Sequence, residues 1–253
     1  MFFSGGPGKD FYAEDNSATE VLATLGEQGL EVVQVRWSFG WLRAAPGEQA
    51  GPAALACRPA TVVGWVHDNY AEQAEGAAGE APPGTCGFCL TGNSGGASQI
   101  AYALSHYGLA PLVDVLVASS GPPHAQLGKG CLRTQGEEPY WFEASNRQVI
   151  DSSYGADREG GPCVSSDASF VPRFDADSID LGGEDYRYLT TRVHFIVSPG
   201  DSVVAVRARD LAEKLRQSGS PWVTVQEVPD MTHNIQQSPE GLAALEAALL
   251  GQP

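Results

Sequence analysis

The residues best suited to chemistry in this chain are a serine, an aspartate and a histidine in three separate loops. Ser94 is the centre of the stretch 92–96, which reads Gly-Asn-Ser-Gly-Gly between a strand-like run and a helix-like run. A sharp strand-to-helix turn lifts a serine hydroxyl above the edge of a sheet, and only small residues fit beside it. The context of Ser94 therefore predicts a nucleophile for acyl transfer, which needs a base within hydrogen-bond reach.

Two further loops supply a base and an acid. His233 follows the strand-like run 222–228, and Asp201 follows the run 193–197. We expect the loop after the last strand to return His233 to the sheet edge beside Ser94. Asp201 would then hold the imidazole in the correct tautomer and stabilise the imidazolium.

Other histidines and aspartates are weaker candidates for these two roles. His124 also follows the end of a strand, and Asp230 precedes His233 by three residues, so both stay open as alternatives. We interpret Asp180 and Asp185 as solvated carboxylates.

An oxyanion needs two backbone N–H donors. The amide of Gly95, directly after the nucleophile, is one candidate. The second is expected from the stretch 5–8, Gly-Gly-Pro-Gly, in which Pro7 has no N–H to donate.

Together these features resemble the α/β-hydrolase superfamily of serine esterases, lipases and related peptidases, over roughly residues 2–121 and 190–250. The chain order Ser94, Asp201, His233 is the order of that superfamily. The glycine stretch is similar to the His-Gly-Gly-Pro-Gly loop of some of its peptidases, with Ser4 in place of their histidine. By that match Gly6 is the second donor, with Gly8 as the alternative.

The alternation of strand-like and helix-like runs predicts the α/β class, namely an α/β-hydrolase fold with a mostly parallel sheet flanked by helices. We expect one domain over 1–253. Helices are predicted after Ser17, which forms a capping box with Glu20, over 52–70 with a kink at Pro59, and after Ser238. A strand is predicted over 30–37 and a loop over 73–85. Because Met1 directly precedes the first strand, we expect no leader and a trimmed or minimal sheet edge.

Residues 122–190 break the alternation and carry many Gly, Ser, Asp and Pro residues with several aromatics. We predict that they form a cap, or lid, inserted over the active site. The substrate-binding side chains are predicted to be Phe11, Tyr12, Trp141 and Phe142. The alternative for the aromatics of the insertion is that they only form its own small core.

Composition bounds the partners. The net charge of −16 over 253 residues argues against nucleic acid as a partner, and no apolar run is long enough to span a membrane. The five cysteines suggest two disulfides and one free buried thiol, with Cys131 paired to Cys163. Cys86 and Cys89 are placed on opposite faces of a strand, where they neither pair nor share a metal. A secreted or periplasmic location follows, and five reduced cysteines in a cytoplasmic enzyme remain the alternative.

These residues predict a hydrolase that cleaves carboxylic esters, from a small-molecule or polymeric substrate, through an acyl-enzyme and without cofactor or metal. Activity should fall on acidification as the base is protonated. A peptidase acting on short peptides and a non-catalytic binding protein that kept the fold are the alternatives.

Overall fold

The computed structural model describes residues 1–14, 16–71, 86–156 and 160–251. In these ranges six strands form one sheet in the order β2-β1-β3-β4-β5-β6, and every neighbouring pair is parallel. The strands are β1 (Phe2–Phe3), β2 (Gln34–Val35), β3 (Cys89–Asn93), β4 (Val115–Ser119), β5 (Arg192–Val197) and β6 (Val223–Glu227). A parallel sheet is covered on both faces, which explains the continuous apolar runs of its central strands.

Nine α-helices are found in the described residues, and several of them cover the two faces of the sheet. They are α1 (Ala18–Glu27), α2 (Gly51–Leu55), α3 (Cys57–Val66), α4 (Gly95–Ser105), α5 (Leu127–Leu132), α6 (Ala144–Ser153), α7 (Val171–Ala176), α8 (Ser202–Gln217) and α9 (Pro239–Leu249). One core cluster joins α3, α4 and α8 to one face of the sheet, through side chains such as Ile100 and Leu211. A second cluster joins α1 and α9 to the other face, through Leu25 and Leu245. The predicted α/β architecture is confirmed.

The predicted helix caps differ in outcome. Ser238 accepts a hydrogen bond from the N–H of Gly241 at the start of α9, as predicted. The capping box at Ser17 is wrong, because Ser17 makes no side-chain cap and Asn16 Oδ1 accepts from Ala18 N–H at 2.9 Å instead. Asn accepts a hydrogen bond at a helix N-terminus as well as Ser does, so the sequence is compatible with capping by either residue.

The bounds of several strands and helices differ from the predicted ones. The predicted strand 30–37 contracts to Gln34–Val35, because its partner Phe2–Phe3 offers only two residues to pair with. The predicted helix 52–70 is broken at Ala56 into α2 and α3, which leaves Pro59 in the first turn of α3, where no helical N–H is lost. The predicted loop 73–85 lies outside the described residues.

The residues between β4 and β5, which we call the β4–β5 segment (122–190), have a small core of their own. Its buried members are Leu127, Cys131, Phe142, Ile150, Tyr154, Cys163 and Phe174. Cys131 and Cys163 form a disulfide, as predicted. Arg147 donates to the carbonyls of Cys163 and Val164, each at 2.9 Å, and so ties helix α6 to this core.

The other cysteines depart from expectation. Cys86 pairs with Cys89, although the two were placed on opposite faces of a strand. The strand begins only at Cys89, so the alternation of faces does not apply to Cys86. The free thiol, which was expected to be buried, is Cys57, and it is exposed on α3.

The β4–β5 segment packs against α8. The guanidinium of the fully buried Arg207 donates to the carbonyls of Val203 and Tyr140, and it lies 4.4 Å from the centroid of the Phe142 ring. Asp180, expected to be solvated, is buried with 8% exposure close to this contact. In the described ranges, none of the helices has the length and apolar character needed to cross a membrane.

Candidate active site

Ser94 lies at a sharp turn between β3 and α4. Its backbone adopts φ 51° and ψ −113°, and its N–H donates to Ser119 O at 2.8 Å. A positive φ is unusual for a residue with a side chain, and such strain clusters at functional sites. The turn also requires its glycines. A Cβ on Gly92 would collide with the backbone of Gly96, and a Cβ on Gly96 would collide with the carbonyl of Phe3.

Asp201 and His233 meet at the carboxyl ends of β5 and β6. Asp201 Oδ2 lies 2.5 Å from Nδ1 of His233. The aspartate side chain is 21% exposed and the histidine side chain is 47% exposed. Because Nδ1 is engaged with the carboxylate, Nε2 of the same ring is the nitrogen available to accept a proton.

A hydrogen bond between a backbone N–H and a side-chain amide joins the loops of Ser94 and His233 at the same edge of the sheet. The N–H of Ile235, two residues after His233, donates to Asn93 Oδ1 at 3.3 Å, and Asn93 directly precedes Ser94. Within the described part of the chain, the Ser94 hydroxyl makes no hydrogen bond to the imidazole. Catalytic hydrogen bonds commonly tighten only in the substrate complex, so this geometry leaves the pairing available.

The candidate oxyanion donors lie against each other. A Cβ on Gly95 would come within 2.9 Å of the amide nitrogen of Gly6, so the two backbones touch. The first N–H groups of a helix have no partner within it, which frees the amide of Gly95 at the start of α4. The alternative Gly8 donates its own N–H to Gly5 O at 3.1 Å. At Gly6, the position that a Cβ would take has no atom within 4 Å.

Two tryptophans that were not predicted from the sequence hold this glycine loop, and a glutamine holds one of them. Trp41 Nε1 donates to Gly6 O at 3.3 Å, and Trp37 donates its backbone N–H to Gly8 O at 2.8 Å. Trp37 Nε1 in turn donates to Gln99 Oε1 on α4 at 2.7 Å. No local pattern in the sequence signals these contacts, because the residues lie some 30 to 90 positions from the loop they hold.

The four predicted substrate-binding residues occupy different environments. Phe11 is 39% exposed, with the Arg36 guanidinium 4.6 Å from its ring centroid. Tyr12 is only 1% exposed and packs on Phe2 in the core, which leaves no surface for a substrate.

The two predicted contacts of the β4–β5 segment are also separated by the structure. Phe142 is buried in that segment's own core. Trp141 is half-buried, with Nε1 donating to Thr134 O at 3.2 Å and the Arg133 guanidinium over its ring. The structure therefore does not gather Phe11, Tyr12, Trp141 and Phe142 into one pocket.

The alternative base and acid lie in less suitable surroundings. His124 is buried between the rings of Trp41 and Tyr102, and burial, with a smaller effect from Arg207, lowers its pKa to about 3. Its Nδ1 has no hydrogen-bond partner among the residues that the structure describes. Asp230 is exposed, and the carboxylate that accepts a hydrogen bond from His233 is that of Asp201 instead. Over the same ranges, no three His, Cys, Asp or Glu side chains are grouped so that they could hold a metal ion.

Comparison with known proteins gives similarity in structure only. No family model matches the chain, and no curated protein matches it in sequence. The hyperthermophilic esterase from the archaeon Pyrobaculum calidifontis superimposes with a TM-score of 0.57 at 15% identity, over 98% of this chain and 74% of the esterase.

Two further solved structures are similar over 98% of this chain. They are the Francisella virulence factor BioJ, with a TM-score of 0.56, 12% identity and 75% of its chain covered, and alpha/beta hydrolase domain-containing protein 10 from mouse, with values of 0.51, 11% and 86%. With the parallel six-stranded sheet and its flanking helices, these similarities establish that the chain has the fold of the α/β-hydrolase superfamily.

Proposed function

We propose that this protein is a serine hydrolase that cleaves carboxylic esters through an acyl-enzyme. The observation that carries the proposal is the 2.5 Å contact between Asp201 and His233, in a loop whose backbone is bonded to the residue before Ser94. A carboxylate bonded to Nδ1 of a histidine near a strained serine is the arrangement that nucleophilic acyl transfer requires.

In the proposed reaction, Ser94 Oγ attacks the ester carbonyl carbon while Nε2 of His233 accepts the hydroxyl proton. Asp201 stabilises the imidazolium that forms, and the N–H groups of Gly95 and Gly6 stabilise the negative oxygen of the tetrahedral intermediate. The carbon–oxygen bond to the alcohol breaks, and the alcohol leaves with the proton from His233. Water then attacks the acyl-Ser94 ester, with His233 again as the base, and releases the carboxylic acid.

Several features support an ester rather than an amide as the substrate. One structurally similar protein is an esterase, and Ser4 replaces the histidine found in the comparable loop of some peptidases. Ser4 donates its hydroxyl to Asp10 O at 2.6 Å, so it holds the glycine loop rather than facing a substrate. We place a small-molecule or polymeric ester at this site, beneath the β4–β5 segment as its cap. The two disulfides favour an oxidising compartment outside the cytoplasm.

A fluorophosphonate probe tests the proposal, because it labels only a serine activated by its base. We expect labelling of the native protein, no labelling of Ser94→Ala, and unchanged labelling of Ser169→Ala, an exposed serine in the β4–β5 segment. Hydrolysis should be measured on p-nitrophenyl esters of increasing chain length and on an aminoacyl amide. Labelling that survives Ser94→Ala would refute the proposal, and turnover of the amide alone would favour a peptidase.

A further inference from the structure

Asn93 is a buried polar side chain at the end of a central strand. It is the last residue of β3, it pairs in register with Ser119 of β4, and it is 1% exposed. Burial of an amide is costly unless the amide is hydrogen-bonded, so its partners define what it does.

The carboxamide joins three parts of the candidate site. Its Oδ1 accepts hydrogen bonds from the N–H of Ile235 and from the hydroxyl of Ser119, both at 3.3 Å. Its Nδ2 faces the glycine loop, since a Cβ on Gly5 would lie 3.5 Å from that nitrogen. One side chain thus contacts the loop of the base, the neighbouring strand and the loop of the oxyanion donor, directly beside Ser94.

The loop of the base needs such an anchor. Between β6 and α9 it runs from 228 to 238, and the His233 side chain is 47% exposed. The hydrogen bond to Asp201 orients the ring, but Asp201 belongs to the loop after β5 and not to the strand that carries Ser94. The hydrogen bond from the N–H of Ile235 to Oδ1 of Asn93 joins this loop to the strand that carries the nucleophile. A displacement of about 1 Å between reacting groups can cost roughly 100-fold in rate.

We infer that Asn93 is a positioning residue, whose amide oxygen sets the place of His233 relative to Ser94. The inference rests on the proposed function of the same site. An amide suits this role, because its oxygen has two lone pairs and can accept both hydrogen bonds. Alanine would leave the buried N–H of Ile235 without an acceptor, whereas aspartate would keep the acceptor.

The test compares kcat per active site, with active sites counted by fluorophosphonate labelling. Asn93→Ala should lower kcat by roughly 10- to 100-fold while KM changes by less than about threefold, since a binding contact is not lost. The matched control is Asn234→Ala, an exposed asparagine in the same loop with no side-chain cap bond, which should retain kcat.

A double-mutant cycle separates positioning from general destabilisation. If Asn93 acts through His233, then Asn93→Ala should have less than about a threefold further effect in a His233→Ala background, measured on an activated p-nitrophenyl ester. Because the probe needs the base, rates in this background are expressed per folded protein, as determined by circular dichroism. The inference would be overturned if Asn93→Ala lowered kcat by the same factor with and without His233. A kcat of Asn93→Ala within about threefold of the native value would also overturn it.

A second variant covers the case in which Asn93→Ala does not fold. Asn93→Asp preserves the shape and the acceptor oxygen, so its kcat should stay within about tenfold of native, and a larger loss would contradict the inference. Failure of the proposed function has a different signature, because the native protein would then show no Ser94-dependent labelling or turnover.

Discussion

Asp201 Oδ2 and His233 Nδ1 lie 2.5 Å apart although 32 residues separate them in the chain. The contact predicts that Asp201→Asn will lower kcat by roughly 1,000- to 10,000-fold on a p-nitrophenyl ester, because an amide stabilises neither the required tautomer nor the imidazolium. KM should change little. Asp230→Asn is the matched control, since that carboxylate is exposed three residues before His233. A large loss of kcat in Asp230→Asn with normal turnover of Asp201→Asn would show that the acid is Asp230 and not Asp201.

The glycines of the strand-to-helix turn have a steric role that can be measured. Gly96→Ala would place a methyl group against the carbonyl of Phe3 in β1, so it should destabilise the fold by roughly 2 kcal/mol or more, or prevent folding. Gly64→Ala is the control, because a Cβ in that position of α3 would meet nothing within 4 Å. It should raise the free energy of unfolding by roughly 0.5–1 kcal/mol. Urea denaturation of both variants checks the pair, and equal stabilities would contradict the steric argument.

The buried carboxyl of Asp180 predicts a pH dependence of stability. Burial raises its pKa from 3.8 to about 6, against smaller opposing effects of Gln126 and Lys129 and a reinforcing one from Asp210. Between these two values the folded protein binds more protons at this site than the unfolded chain, so the contribution of Asp180 to stability falls as pH rises through that window. Asp180→Asn should remove this contribution, because the amide is neutral at every pH.

The melting temperatures of the native protein and Asp180→Asn should therefore be compared at pH 4 and pH 7.5. The variant's melting temperature relative to the native protein should be higher at pH 7.5 than at pH 4 by roughly 5–10 °C. Asp185→Asn, an exposed neighbour, should show the same difference at both values. A pH-independent difference for Asp180→Asn would mean that this carboxyl is ionised alike in the folded and unfolded chain.

Local patterns were enough to predict the architecture and the turn at Ser94. The glycines around Ser94 and the apolar run of β4 are short-range signals, and the structure preserves both. The residue at which β3 begins was harder to predict from the sequence. Cys86 continues the apolar pattern, but regular pairing with β4 begins only at Cys89, which is why the two thiols meet in a disulfide against expectation.

The burial of individual polar side chains could not be predicted from the sequence. Asp180 lies in an acidic stretch typical of a solvated loop, yet it is covered where the β4–β5 segment packs against the helix carrying Arg207. Asn93 stands inside the most conspicuous motif of the chain, but its partner Ile235 is 142 residues away. Such contacts depend on tertiary packing, which no local periodicity encodes.

The two halves of the candidate site differ in how firmly they are held. The glycine loop is clamped by two tryptophans, and one of them is held in turn by Arg58, which donates to Trp41 O at 2.7 Å. The imidazole of His233, by contrast, is half exposed, although Met231 and Ile235 of the same loop are buried in the core. In the proposed mechanism, the oxyanion donors are therefore fixed before a substrate arrives, and the half-exposed imidazole is the group that can adjust to it.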